Sequence, residues 1–147
     1  AEEENVILLL GTVMGMDSPC NASTPIVLTV DEVAEIIEQI GSSYLAAYAD
    51  TQVLSIRGES LTDWFDRLGE KVRLVRFTDG NYNGYRIWGK GVLPAEKLAE
   101  EIYRTGFNGL ISFQIPGERY CENPKDAQKQ NHFRALSAWR EVMDCQR

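Results

Sequence analysis

The chain has 147 residues, with 15 Lys and Arg against 22 Asp and Glu, for a formal net charge of −7. Charged residues make up 25% and are mixed in sign along the chain. That balance argues against nucleic-acid binding and against adhesion to a membrane surface, both of which need clustered Lys and Arg to neutralise phosphates. Hydrophobic residues at 44% match an ordinary globular domain, and a chain this long buries about 70% of the surface that its unfolded form exposes.

The longest apolar stretch, residues 6–16, is broken by Gly11, Thr12 and Gly15 and follows Glu2, Glu3 and Glu4. A signal peptide needs a basic start and a membrane span needs about 20 apolar residues, so neither is expected. Cys20, Cys121 and Cys145 are widely spaced, with no CxxC and no nearby His to complete a zinc site. Free thiols in a reducing cytoplasm are the reading they support. Without a secretory signal, the glycosylation sequon at Asn21 carries little weight.

In chain order, short apolar runs alternate with longer amphipathic ones, four times over. Residues 5–10 read as a strand, and residues 29–40 as a helix with Val30, Val33, Ile36, Ile37 and Ile40 at helical spacing. Thr29 with Glu32 makes a capping box, and Gly41 is a fitting stop. A second strand at 44–49 precedes a helix at 60–68, whose Leu61, Trp64, Phe65 and Leu68 share a face and which Gly69 closes. The third unit pairs a strand at 72–78 with a helix at 94–105, ended by Gly106. The fourth pairs a strand at 109–115 with a long helix at 124–143. Helices of this size between strands require parallel pairing through right-handed crossovers, so the fold class is α/β. No Gly/Pro/Ser-rich linker divides residues 1–147, which read as one domain.

Alternation within the strands separates two faces. Leu8, Leu10, Ala47, Ala49, Val75, Phe77, Phe113 and Ile115 form an apolar face suited to packing beneath the helices. The opposite face carries Ile7, Leu9, Tyr48 and Leu74, and turns polar toward the strand ends at Asp50, Arg76, Ser112 and Gln114. Ligand sites in α/β folds lie at the C-terminal ends of the strands, so function is expected on this second face.

Several segments resemble the xylose-isomerase-like TIM barrels, and within them the sugar phosphate isomerase/epimerase branch. They are Asp50 closing the second strand, "VRLVRFTDG" as the third, "WGKGVLPAEKLAEEIYRTGFNGLISFQ", and the long final helix. "GKG" followed by "GFNGLISFQ" is the most specific portion. The resemblance spans nearly the whole chain but only the second half of such a barrel. It therefore implies a parallel (β/α)4 half-barrel, with "AEEENV" similar to the tail of the preceding helix.

In that family each of these four strands ends in a metal ligand, in the order Glu, Asp, His, Glu, and the glutamates also move protons. The corresponding positions here are Leu9, Asp50, Arg76 and Gln114. Leucine has no lone pair, a guanidinium repels a divalent ion, and an amide is a weak ligand that exchanges no proton at neutral pH. No metal and no cofactor are expected, both family acid/base carboxylates are missing, and catalytic residues are left unassigned.

Asp50 beside Arg76 is expected to form an ion pair, with Gln114 close by, and Arg76 occupies the position of the family's metal ligand. Two readings of Arg76 stay open: a salt bridge that neutralises a barrel mouth, or a cation holding a sugar hydroxyl or phosphate. Asp79 in "FTDG" is either the family residue past the third strand or a turn aspartate. Tyr85, Arg86, Trp88 and Lys90 lie in the loop that shapes the pocket of such barrels, and Trp88 serves equally well as packing. Lys90 does not have P-loop spacing. His132, the one histidine, lies among Gln, Asn and Arg on the last helix and reads as solvated, which leaves no Ser/His or Cys/His nucleophile scheme.

The expected substrate-binding set is thus Asp50, Arg76, Asp79, Arg86, Trp88 and Gln114, with a sugar or sugar phosphate as ligand. Three functions follow. One is a metal-free relative that binds a sugar or completes a barrel; another is an active isomerase or epimerase with residues supplied by a partner half; the last is a structural module. Four parallel strands leave one face and two edges open, so a homodimer or a complementary N-terminal half is expected.

Overall fold

The computed structural model describes residues 1–12 and 29–145. Cys20, the sequon at Asn21 and most of the loop expected after the first strand fall outside them.

Four strands form one parallel sheet in sequence order: β1 (Leu8–Leu10), β2 (Leu45–Asp50), β3 (Val72–Arg76) and β6 (Leu110–Ser112). Helices α1 (Val30–Ile40), α3 (Leu61–Leu68), α4 (Ala95–Arg104) and α5 (Pro124–Cys145) alternate with them, giving the expected four βα units. Ala47, Ala49, Val75 and Phe77 are wholly buried and share one core with Val33 and Ala34 of α1, Trp64 of α3, Ala99 of α4 and Ala135 of α5. The helices therefore cover the central part of the face that alternation assigns to them, while Leu8 of the same face is 55% exposed at the sheet edge. On the other face Ile7 is 50% exposed, and Leu9, Tyr48, Leu74 and Arg76 are half-buried.

Local signals account for the helix ends. Thr29 accepts from Glu32 N while Glu32 returns a bond to Thr29 N, and Gly41 at φ 64° closes α1. Ser60 and Asp63 cap α3 in the same way. These caps hold both helices over the sheet: each is worth about 1 kcal/mol.

Strands β1, β3 and β6 are shorter than the apolar runs that announce them, because the ladder ends where the chain turns away from its neighbours. Two elements go beyond the sequence reading. Helix α2 (Thr51–Arg57) starts directly after β2, capped by Asp50 and closed by Gly58 at φ 73°. After β3 an antiparallel hairpin forms from β4 (Asp79–Asn81) and β5 (Gly84–Arg86), with Gly84 at φ 104°. The hairpin folds over the C-terminal end of the sheet. Among the described residues no helix is long and apolar enough to cross a membrane, and Cys121 and Cys145 are exposed free thiols.

Candidate functional site at the C-terminal ends of the strands

Asp50 ends β2 and is 2% exposed. The N-terminus of α2 presents backbone N–H groups with no helical partner, and Asp50 Oδ1 accepts from Gln52 N at 3.1 Å and Val53 N at 3.3 Å. Thr78 Oγ1 donates to the same oxygen at 2.7 Å, and the Tyr85 hydroxyl donates to Oδ2 at 2.9 Å. Thr51 Oγ1 completes the network by donating to Thr78 O at 2.7 Å and accepting from Thr78 N at 2.8 Å.

The expected Asp50–Arg76 ion pair is absent. The two residues stand opposite each other in the β2–β3 register, yet the carboxylate turns into the helix N-terminus, the threonine hydroxyl and Tyr85. Arg76 instead lies over the Tyr48 ring, with the guanidinium carbon 4.4 Å from the centroid. Gln114 is not beside them: β6 stops at Ser112, and Gln114 is exposed beyond it.

A cleft of about 300 Å³ opens at this end of the sheet. It is lined by Thr12, Tyr48 and Arg76, by Asn83 and Tyr85 of the hairpin, and by Pro116, Glu118 and Arg119. Arg119 is steadied by a bond from Nη2 to Asn83 O at 3.1 Å. The Tyr85 phenol is pushed well above its ordinary range by burial, then by the charge and hydrogen bond of Asp50, with Arg76 pulling the other way. It is a neutral hydroxyl at every physiological pH.

Of the six residues expected to bind substrate, Arg76 lines the cleft, and Asp50 lies behind it through Tyr85. Asp79 and Trp88 do not line it. The Asp79 carboxylate is 1% exposed and accepts from Gly80 N, Gly89 N, Gly91 N and Leu93 N at 2.7 to 3.1 Å, gathering the loop before α4. Trp88 is 4% exposed, stacks on Phe77 with 4.3 Å between centroids and donates to Phe77 O. Arg86 ends the hairpin opposite Asp79 and does not line the cleft. His132 lies edge-on to Phe113 in a separate groove of about 500 Å³ between the end of β6 and α5.

The loop after β3 was recognisable as pocket-forming, and Tyr85 falls in it. Thr12, Glu118 and Arg119 carry no sequence motif. For Asp50 a signal was present: Asp followed eight residues later by Gly58, with Val53 and Leu54 between, is a short capped helix.

The four family ligand positions do not fit a divalent ion. Leu9 offers hydrocarbon, Arg76 a positive charge, and Gln114 lies outside the cleft; the one carboxylate, Asp50, already takes four donors. Among the described residues no three His, Cys, Asp or Glu side chains come together as a ligand cluster.

A parallel four-stranded sheet covered by helices on one face, with a cleft at its C-terminal ends, is half of a βα barrel. The chain belongs to the xylose isomerase-like TIM barrel family, whose pattern it matches over residues 1–139. It is 26% identical over 131 residues to fructoselysine 3-epimerase of Escherichia coli O157:H7 and equally to that of Shigella flexneri, covering 84% of this chain and 47% of each relative. The chain thus spans about half the length of these curated relatives. Its fold is similar to that of an L-ribulose 3-epimerase (TM-score 0.63, 12% identity, 82% of this chain and 45% of that one). It is also similar to a D-psicose 3-epimerase from Clostridium cellulolyticum H10 (TM-score 0.52, 17% identity, 80% and 43%).

Proposed function

We propose that the chain forms the C-terminal half of a sugar epimerase- or isomerase-like barrel and binds a sugar in the cleft without a divalent metal. The observation carrying this reading is that at the end of β2 the retained Asp50 is taken up by protein donors, while at the end of β3 an arginine stacked on Tyr48 stands where the resemblance places a metal-binding histidine. Aromatic Tyr48 and Tyr85 with the neighbouring polar side chains suit the mixed apolar and hydroxyl surface of a sugar.

The remaining wall of the pocket comes from a partner: a complementary N-terminal half, or a second copy across a two-fold axis. Ile7, 50% exposed, and Leu8, 55% exposed, at one edge and Leu110, 73% exposed, at the other leave apolar surface that closure into eight strands would cover. A second reading, an active epimerase whose proton-transfer carboxylates lie on that partner, is favoured by the 47% coverage of the relatives. The unpaired Cys121 and Cys145 accord with a reducing cytoplasm.

Three measurements on the purified protein test this. Native mass spectrometry is expected to show an assembly heavier than the 16.6 kDa chain. Elemental analysis is expected to find no stoichiometric Mn, Mg, Co or Zn. A bound sugar at 100 times its dissociation constant should add about 2.7 kcal/mol of stability, a shift of several degrees in Tm. A stable monomer without exposed-hydrophobic dye binding would refute the partner reading. Stoichiometric metal would refute the metal-free site.

A further inference from the structure

Arg76 is half-buried and lines the cleft, yet among the described residues its side chain has no hydrogen-bond or ion-pair acceptor, and its guanidinium rests on the Tyr48 ring. A guanidinium carries five N–H donors, and a partly desolvated one ordinarily takes a carboxylate or carbonyl partner. The opposite residue in register, Asp50, accepts from four other donors instead, three at Oδ1 and Tyr85 at Oδ2. Because Tyr48 occupies a face of the guanidinium, the donors at its edge stay free for an in-plane acceptor, the geometry that matches an oxyanion. Arg119 also lines the cleft, held through Asn83 O, and among the described lining residues Glu118 is the one carboxylate. The described lining is therefore net positive on a chain whose net charge is −7.

We infer that Arg76 is an oxyanion-binding residue, with Arg119 as its second cation, and that the ligand of the cleft is a sugar bearing a negative group, a carboxylate or a phosphate. This rests on the sugar-binding reading above and narrows it. Tyr48 acts as the platform: its ring meets Gly11, where a Cβ would fall 2.6 Å from Cε1, so ring and guanidinium are held from below. Tyr85 adds a neutral hydroxyl whose proton is committed to Asp50, leaving its lone pairs to accept from a ligand hydroxyl.

The test is calorimetric titration of the purified native assembly with D-fructose 6-phosphate, D-glucuronate, D-fructose and inorganic phosphate. A phosphate or a carboxylate sugar is expected to bind at least tenfold tighter than D-fructose, and which of the two binds identifies the oxyanion. Affinity should fall as salt rises from about 50 to 500 mM, a readout that needs no variant. R76Q should lose about 10- to 100-fold in affinity for the charged sugar, the scale of a charge-assisted bond, with R76K retaining part of it; R119Q should lose less. Circular dichroism establishes that each variant is folded. Equal affinity for D-fructose and the charged sugars, or salt-independent binding, overturns the oxyanion site and leaves the sugar-binding reading standing. Binding of inorganic phosphate as tight as that of any sugar supports the oxyanion site and overturns the sugar. Binding of none of the four overturns both.

Discussion

The Tyr85 hydroxyl donates to Asp50 Oδ2 at 2.9 Å, and this bond ties the β4–β5 hairpin to the end of β2. Asp50 thereby links three elements: the hairpin through Tyr85, the segment after β3 through Thr78, and α2 through two backbone N–H groups. The shape of the cleft depends on that junction.

Removing the phenol proton should loosen the hairpin. Y85F is expected to destabilise the protein by about 1 kcal/mol, the net worth of one hydrogen bond, measured by urea denaturation. The phenol also has a pH signature. Its pKa is raised in the fold, so the neutral form is favoured there. The associated stability is fully present below the unfolded value of about 10 and is lost as pH rises through the folded value. Tyr85 should stay protonated through the ordinary range of a tyrosine. Wild-type and Y85F spectra at 295 nm should therefore show equal tyrosinate up to about pH 10.5; loss in Y85F of a group titrating near 10 would contradict the assignment.

Asp50→Ala removes a helix cap and leaves the buried Thr78 hydroxyl without its acceptor. We expect a loss of about 2–4 kcal/mol. Asp50→Asn retains an acceptor oxygen for the cap and should cost about half as much. Equal costs for the two variants, measured by equilibrium unfolding, would mean that charge rather than capping matters.

Asp79 satisfies four backbone N–H groups from a buried position. Asp79→Asn turns a donor toward N–H groups, and its expected cost is about 2–4 kcal/mol. Hydrogen exchange should locate the effect, with Gly89, Gly91 and Leu93 amides losing protection first. Uniform loss across the sheet would show that the carboxylate holds more than this loop.

Gly11 is buried, and a Cβ there would sit 2.6 Å from Tyr48 Cε1 and 2.7 Å from the Tyr48 carbonyl oxygen. A ring edge can move, but the carbonyl belongs to the sheet. Gly11→Ala should therefore cost about 1–3 kcal/mol as overpacking and weaken ligand binding by displacing the Arg76 platform. Unchanged Tm and unchanged binding would show that β1 yields at this point.

The alternation of apolar runs and capped amphipathic segments determined the four βα units and the face each strand turns toward the helices. Those features are local: a capping box such as Thr29–Glu32, a closing glycine such as Gly41, and a two-residue strand period act within a few residues of chain. The residue types at Leu9, Arg76 and Gln114 were legible for the same reason, since each residue's chemistry is independent of its surroundings. Partner choice was decided only by the tertiary structure. Asp50 and Arg76 are neighbours in register, but carboxylate orientation depends on four donors from three separate elements, and an unsatisfied helix N-terminus together with a buried hydroxyl outcompetes a guanidinium that can rest on Tyr48. Asp79 likewise reads as a turn or a ligand in the sequence, and becomes a loop organiser because residues 89–93 return to it. The cleft walls at Arg119 and Tyr85 meet for the same physical reason: crossover connections bring together residues more than thirty positions apart, and no local pattern records that distance.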